Sequence, residues 1–279
     1  MLAQAYVSGY DRGNKEGAPL TPSNVADTLT ALMTFKTLRL RTDGPIAVIT
    51  LARPDSGHRV DDAFLRELDE ACAALNDDAG IRVAVLTGEG DVFCSGWDGD
   101  DVPKRPQPFA CLESMGQPII CALNGEATSA GLELALACDV RIAAESATFS
   151  LPETAQGQLP MGGGTQRLAR LVGRGEALRL ILLGEEIDAA EAYRIGLVSA
   201  VIPRDELDDK ARSLSERMAS RGPLALRYAK EAVRRGLEQP LDQALRYETD
   251  LTVILQSTED RAEGVTAFLE KRAAKFEGK

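Results

Sequence analysis

Between residues 38 and 202 the chain alternates short, β-rich apolar runs with amphipathic helical stretches, and that alternation leaves few architectures open. Strand-like runs fall at 38–41, 47–51, 83–87, 119–123, 140–143 and 199–202, and those at 83–87 and 119–123 are β-rich and bounded by Gly or Pro, as buried strands are. Helices are expected between them. Over 62–76, Phe64, Leu65, Leu68, Cys72 and Leu75 recur at helical spacing, and further helices fit 165–171, 176–183 and 189–195. This predicts the α/β class. After Pro203 the pattern becomes helical throughout, with helices over 205–220, 224–235, 241–255 and 259–273 separated by Gly, Pro or Ser/Thr caps. The chain therefore divides into a polar, loosely ordered leader (1–32, punctuated by Gly9, Gly13, Gly17, Pro19 and Pro22, with at most a short helix near 25–32), a core (33–203) and a helical region (204–279). The apolar faces of that last region pack either on the chain's own core or on another subunit.

With 279 residues, 44% of them hydrophobic, the chain can bury a substantial core. Forty-three acidic against 32 basic residues give a net charge of -11, which argues against nucleic acid and anionic membrane as partners. No apolar run is long enough for a membrane span, and the N-terminus lacks the basic-then-apolar order of a secretory signal, so a cytoplasmic protein is expected. Cys72, Cys94, Cys111, Cys121 and Cys138 are odd in number, lie in apolar stretches and show no CxxC spacing. They read as reduced thiols, with neither disulfide nor zinc implied.

The chemistry concentrates in two glutamates. Glu133 ends Asn124-Gly125-Glu126-Ala127-Thr128-Ser129-Ala130-Gly131-Leu132-Glu133, and Glu153 follows Ser150-Leu151-Pro152, with Pro160-Met161-Gly162-Gly163-Gly164-Thr165-Gln166-Arg167-Leu168 close behind. Two carboxyl groups in one partly dry pocket do not ionise independently, so one can donate a proton while the other accepts one. That suits the addition or removal of water. Gly162–Gly164 lacks the Gly-Lys-Ser/Thr ending of a phosphate loop and reads as a tight turn before a helix. Ser95 lies in no GxSxG, and His58, the chain's single histidine, is distant in sequence, which weighs against a serine triad. Trp97 either lines a ligand pocket or is core.

Taken together, these segments resemble the enoyl-CoA hydratase/isomerase family, the crotonases. The likeness begins near Ala47-Val48-Ile49-Thr50-Leu51-Ala52-Arg53-Pro54 and runs to the C-terminus through Ile81-Arg82-Val83-Ala84-Val85-Leu86-Thr87-Gly88, Phe93-Cys94-Ser95-Gly96, the two glutamate segments and Thr258-Glu259-Asp260-Arg261-Ala262-Glu263-Gly264. It implies a superhelix of ββα turns, a helical C-terminal region that assembles homotrimers or hexamers, and an acyl-CoA thioester substrate. Coenzyme A is then part of the substrate, with no metal or further cofactor. By motif position, the resemblance places an oxyanion hole at the backbone N–H groups of Ser95 and Ala130, each expected to begin a helix. It also implies that Glu133 activates water and Glu153 manages the proton at the α-carbon.

Departures from the family pattern bear on the substrate. Asp55-Ser56-Gly57-His58 replaces an Asn-Ala-Leu-Asn-like stretch, so coenzyme A contacts are expected from Arg53, Ser56 and His58, with Trp97, Asp98, Met161 and Gly162 completing the substrate site. Asp98-Gly99-Asp100-Asp101 lacks the family's lysine, leaving Arg53, Lys104, Arg105, or Lys271 or Arg272 from a neighbouring subunit, to meet the anionic ligand. Thr128-Ser129-Ala130 replaces Leu-Gly-Gly, which requires negative φ at Ala130. Met161 stands where hydratases have a glycine near the catalytic water, an argument for isomerisation or thioester hydrolysis as alternatives. A non-catalytic acyl-CoA-binding paralogue is the remaining reading.

Overall fold

The computed structural model describes residues 35–99 and 106–279. The leader, with its short helix, and Asp100, Asp101, Lys104 and Arg105 lie outside the described residues. In chain order the strands are β1 (Leu38–Asp43), β2 (Ile46–Leu51), β3 (Val83–Gly88), β4 (Val92–Cys94), β5 (Ile119–Leu123), β6 (Glu126–Thr128), β7 (Val140–Ala144), β8 (Thr148–Ser150), β9 (Ile187–Asp188) and β10 (Val201–Ile202). They form two sheets, six-stranded in the order β1-β2-β3-β5-β7-β10 and four-stranded in the order β4-β6-β8-β9. From β2 to β10 the larger sheet is parallel, and in the smaller one β4, β6 and β8 run parallel.

Each consecutive strand pair, β3/β4, β5/β6 and β7/β8, gives one strand to each sheet before the chain turns into a helix or helical turn. That is the expected ββα spiral. The helices are α1 (Asp62–Asp77), α2 (Ala110–Ser114), α3 (Ala130–Leu136), α4 (Gly164–Val172), α5 (Arg174–Leu183), α6 (Ala189–Arg194), α7 (Leu207–Ala219), α8 (Pro223–Gly236), α9 (Leu241–Gln256) and α10 (Glu259–Glu270). At the start of α1 the Asp61 side chain accepts a hydrogen bond from the Phe64 amide, a cap that fixes where the helix begins.

Both faces of the larger sheet are covered, which is why its strands read as continuous apolar runs. Along β3, Ala84 and Leu86 point into the main core with Phe64, Leu68 and Phe93, while Val83 and Val85 point the other way, under Leu207 and Ala211 of α7. The five cysteines are free thiols, and Cys111 alone among them is only half-buried. No helix among the described residues is long and apolar enough to cross a membrane.

Candidate active site

The smaller sheet positions the candidate groups. Its register pairs Cys94 with Ala127 and Thr128 with Ser150, so the three segments leaving β4, β6 and β8 emerge side by side. Those segments carry Ser95–Asp98, Ser129–Glu133 and Pro152–Glu153. They border a cavity of about 290 Å³ with Trp97, Ser129, Glu153 and Met161 on its walls and the exposed Arg59, Gln156 and Gln158 at its mouth. Close approach makes this possible: a Cβ on Gly131 would lie 2.0 Å from the Cys94 carbonyl oxygen, so α3 packs directly on β4 only with glycine there.

Glu133 is fully buried on the first turn of α3. Its Oε1 accepts from the Gly162 amide at 2.6 Å and the Gly164 amide at 2.8 Å, while Oε2 has no partner among the described residues. Gly162 tolerates no side chain, because a Cβ would meet Oε2 at 2.7 Å. Burial raises the Glu133 carboxyl to about 7, helped by the charge of Glu153 and opposed by the amide bonds from Gly164 and Gly162. Glu153, in the 3-10 turn Pro152–Gln156, is also buried, and neither carboxyl oxygen has a partner among the described residues. Both acids are thus buried, and the charge of Glu153 reaches Glu133.

The expected amide pair needs a correction. Ser95 does not begin a helix; its N–H donates to the Gly57 carbonyl at 2.9 Å, and its hydroxyl donates to the same oxygen at 3.0 Å. That amide is spent. The segment is extended, and Val60 pairs beside it through its N–H to the Gly96 carbonyl and its carbonyl to the Asp98 N–H, both at 2.9 Å. In a parallel bridge the residue between those two, Trp97, directs its own N–H to the other side, where β6 lies. No described residue accepts from it. Ala130 does begin a helix, and its first-turn N–H is likewise without a partner among the described residues. Ala130 keeps negative φ; the positive φ, 53°, falls on Ser129 just before it, a strained position for a non-glycine residue.

Other expected ligand contacts are redistributed. His58 is 1% exposed, with Nδ1 accepting from the Arg53 amide at 3.0 Å and Nε2–H donating to the Glu89 carbonyl at 2.9 Å. Both ring nitrogens are used, and desolvation lowers its pKa, so it is a neutral loop staple and not a coenzyme A contact. Arg53 pairs with Asp61 at 2.6 Å and donates to the Arg59 carbonyl, and the Ser56 hydroxyl turns back to the Arg53 carbonyl at 3.2 Å. Asp98 is exposed beside the mouth. Arg272 is held by Glu263 and Glu270, both at 2.6 Å, and Lys271 ends α10 in a left-handed turn. Sequence reasoning missed the Trp97 amide and Arg59. Each depends on the Val60–Trp97 bridge, whose partners are far apart in sequence, and no local pattern announced it.

A family model described as enoyl-CoA hydratase/isomerase matches residues 41–279. The chain is 41% identical over 244 residues to the 2,3-dehydroadipyl-CoA hydratase of Escherichia coli K12, covering 84% of this chain and 96% of the relative. It is 40% identical over 254 residues to the (E)-benzylidenesuccinyl-CoA hydratase of Thauera aromatica, covering 86% and 98% respectively. Among solved structures, an enoyl-CoA hydratase from Bacillus anthracis superposes with a TM-score of 0.84 at 38% identity, over 88% of this chain and all of that one.

Proposed function

Because the chain belongs to the enoyl-CoA hydratase/isomerase family, we propose that it adds water reversibly across the 2,3 double bond of an acyl-CoA thioester, with Glu133 and Glu153 as the acid–base pair. The observation that supports this reading is two buried, electrostatically coupled carboxyl groups with oxygens unpartnered among the described residues, on the same segments as two backbone amides that likewise find no acceptor there. The thioester oxygen accepts from the N–H groups of Trp97 and Ala130, which stabilise the charge it gains; one such donor is typically worth about 3 kcal/mol of barrier. As water attacks C3, ionised Glu133 takes its proton, and the C2–C3 π electrons move to give an enolate across C1 and C2. The enolate then takes a proton at C2, drawn from solvent by way of the Glu153 carboxyl, while the thioester carbonyl re-forms. Equilibration with solvent restores the starting protonation states.

A carboxyl pKa of about 7 matches a base that must be ionised yet accept a proton near neutrality. Among the described residues, Arg59 is the cation lining the cavity, and we assign it to a coenzyme A phosphate in place of the arginines held by Asp61, Glu263 and Glu270. No resident cofactor is required. Exposed apolar side chains on α8 to α10, including Val233, Leu241 and Phe268, support assembly as a homotrimer or hexamer, and the acidic chain suits the cytoplasm. Met161 lines the cavity with Glu153 and favours double-bond isomerisation as the second reading, because its side chain competes for space with the attacking water.

The test is loss of the conjugated chromophore of a 2-enoyl-CoA, with products identified by mass, in wild type and Glu153→Gln. Hydration predicts a product heavier by one water and a loss of at least about a hundredfold in kcat in the folded variant. A product of unchanged mass selects isomerisation. Full activity in the variant removes Glu153 from the chemistry.

A further inference from the structure

Ser129 stands where neither helix capping nor backbone preference accounts for a serine. It joins β6 to α3 at φ 53° and ψ -120°, a conformation that residues other than glycine adopt only at a cost. A serine ahead of a helix ordinarily accepts from a first-turn amide, but the Ser129 hydroxyl makes no such cap and has no hydrogen-bond partner among the described residues. The residue lines the cavity instead. A Cβ on Gly96 would lie 3.3 Å from Ser129 Cβ, so the side chain rests against the peptide that carries the Trp97 N–H, and the Ala130 N–H follows directly along the chain. The Ser129 N–H donates to the Ser150 carbonyl at 2.9 Å. Three residues beyond Ser150, Glu153 is 6% exposed and lines the same cavity, with both carboxyl oxygens unpartnered among the described residues.

We propose that Ser129 is the nucleophile of a second activity at this site, hydrolysis of acyl-CoA thioesters through an acyl-Ser129 intermediate. The inference rests on the acyl-CoA reading above. A serine on a strained strand-to-helix turn, with the following amide free to hold an oxyanion, is recognised by that geometry and not by a surrounding motif. Ser129 Oγ attacks C1 of the thioester while its proton passes, directly or through one water, to the Glu153 carboxylate. The tetrahedral oxyanion lies at the Trp97 and Ala130 N–H groups. As the carbonyl re-forms, the C1–S bond breaks, and the sulfur takes the proton from Glu153 to leave as the coenzyme A thiol. Water then attacks C1 of the ester and gives a proton to Glu153, and the C1–Oγ bond breaks as Oγ recovers that proton. The free acid is released. The substrate decides between the two reactions: a saturated acyl chain has no C2–C3 double bond to hydrate, so only this route is open to it.

The test incubates the full chain with butyryl-CoA, which is saturated, and follows free coenzyme A by chromatography and the mass of the acid-quenched protein. Hydration of 2-butenoyl-CoA is measured on the same preparations. Wild type should release coenzyme A at least about a hundredfold faster than Ser129→Ala, which keeps the backbone turn and removes only the hydroxyl. Quenched wild type should carry one butyryl group on the peptide that contains Ser129. If Ser129→Ala does not fold, Ser129→Gly, which suits the positive φ, carries the comparison. Release no faster than in buffer overturns the proposal, as does equal release by a folded variant or a butyryl group on another residue. Hydration of 2-butenoyl-CoA with no release of coenzyme A from butyryl-CoA sinks the second activity and leaves the proposed function. Release that depends on Ser129, with no hydration, sinks the hydration chemistry and leaves the nucleophile standing.

Discussion

Replacing Glu133 with Gln should make the protein more stable and nearly inactive. Burial holds the Glu133 carboxyl at about 7 against an ordinary 4.5, so the folded chain binds this proton more tightly than the unfolded chain does. The resulting stability is fully present below the unfolded value and is lost as pH rises through about 7. At about 1.4 kcal/mol for each tenfold in proton affinity, the loss by mildly alkaline pH is roughly 3 kcal/mol. Gln keeps an oxygen for the Gly162 and Gly164 amides and carries no charge. Glu133→Gln should therefore unfold at higher urea than wild type at about pH 8, with a gain of up to roughly 3 kcal/mol, or about 6–10 °C in Tm. Near pH 4.5 the two proteins should converge. Both must be compared at one concentration, because assembly also stabilises the fold. In parallel, wild-type kcat/KM should rise with pH through an inflection near 7, and the variant should lose at least about a hundredfold in kcat. A variant less stable than wild type at alkaline pH, with the same pH dependence of unfolding, would falsify the claim that an ionised, desolvated carboxylate sits there.

Two further substitutions separate binding from scaffolding. Arg59→Ala should raise KM for a CoA thioester about tenfold or more, the worth of one charge-assisted hydrogen bond, and leave an N-acetylcysteamine thioester unaffected; equal losses on both substrates would remove Arg59 from phosphate binding. His58→Ala should cost about 2 kcal/mol in urea unfolding through its two lost ring hydrogen bonds, with KM within about threefold of wild type. A large KM effect at unchanged stability would return His58 to the ligand.

How much of this was legible in the sequence follows strand length. The strands of the six-stranded sheet that run five or six residues were found within a residue or two, because buried Val and Ile accumulate over enough positions to stand out. Helix α1 was equally plain, its apolar positions lying on one face and ending at a capped start. The smaller sheet was missed. Its strands β4, β6, β8 and β9 span two or three residues, too few for any period to repeat. Helix α2, five residues long, escaped for the same reason. Glu133 and Glu153 were singled out through the family motifs that surround them and the small residues beside each, and both are buried. His58 was assigned to coenzyme A by its place in the stretch that replaces the family's Asn-Ala-Leu-Asn, whereas the ring is enclosed by hydrogen bonds to Arg53 and Glu89.

The missed sheet also explains why Ser95 was the wrong amide. Along an extended segment successive N–H groups point to opposite sides, so the side that Ser95 gives to Gly57 is fixed by a loop nearly forty residues earlier. Val60 then takes the next two ladder positions around Trp97 and leaves that amide facing β6. Motif position places the segment at the site, but tertiary pairing decides which of its amides remains free. The glutamates escape this ambiguity because a side chain can be aimed by one helix or one turn. A backbone donor is assigned only when every competing acceptor is known, so the amide half of such a site becomes visible only with the fold.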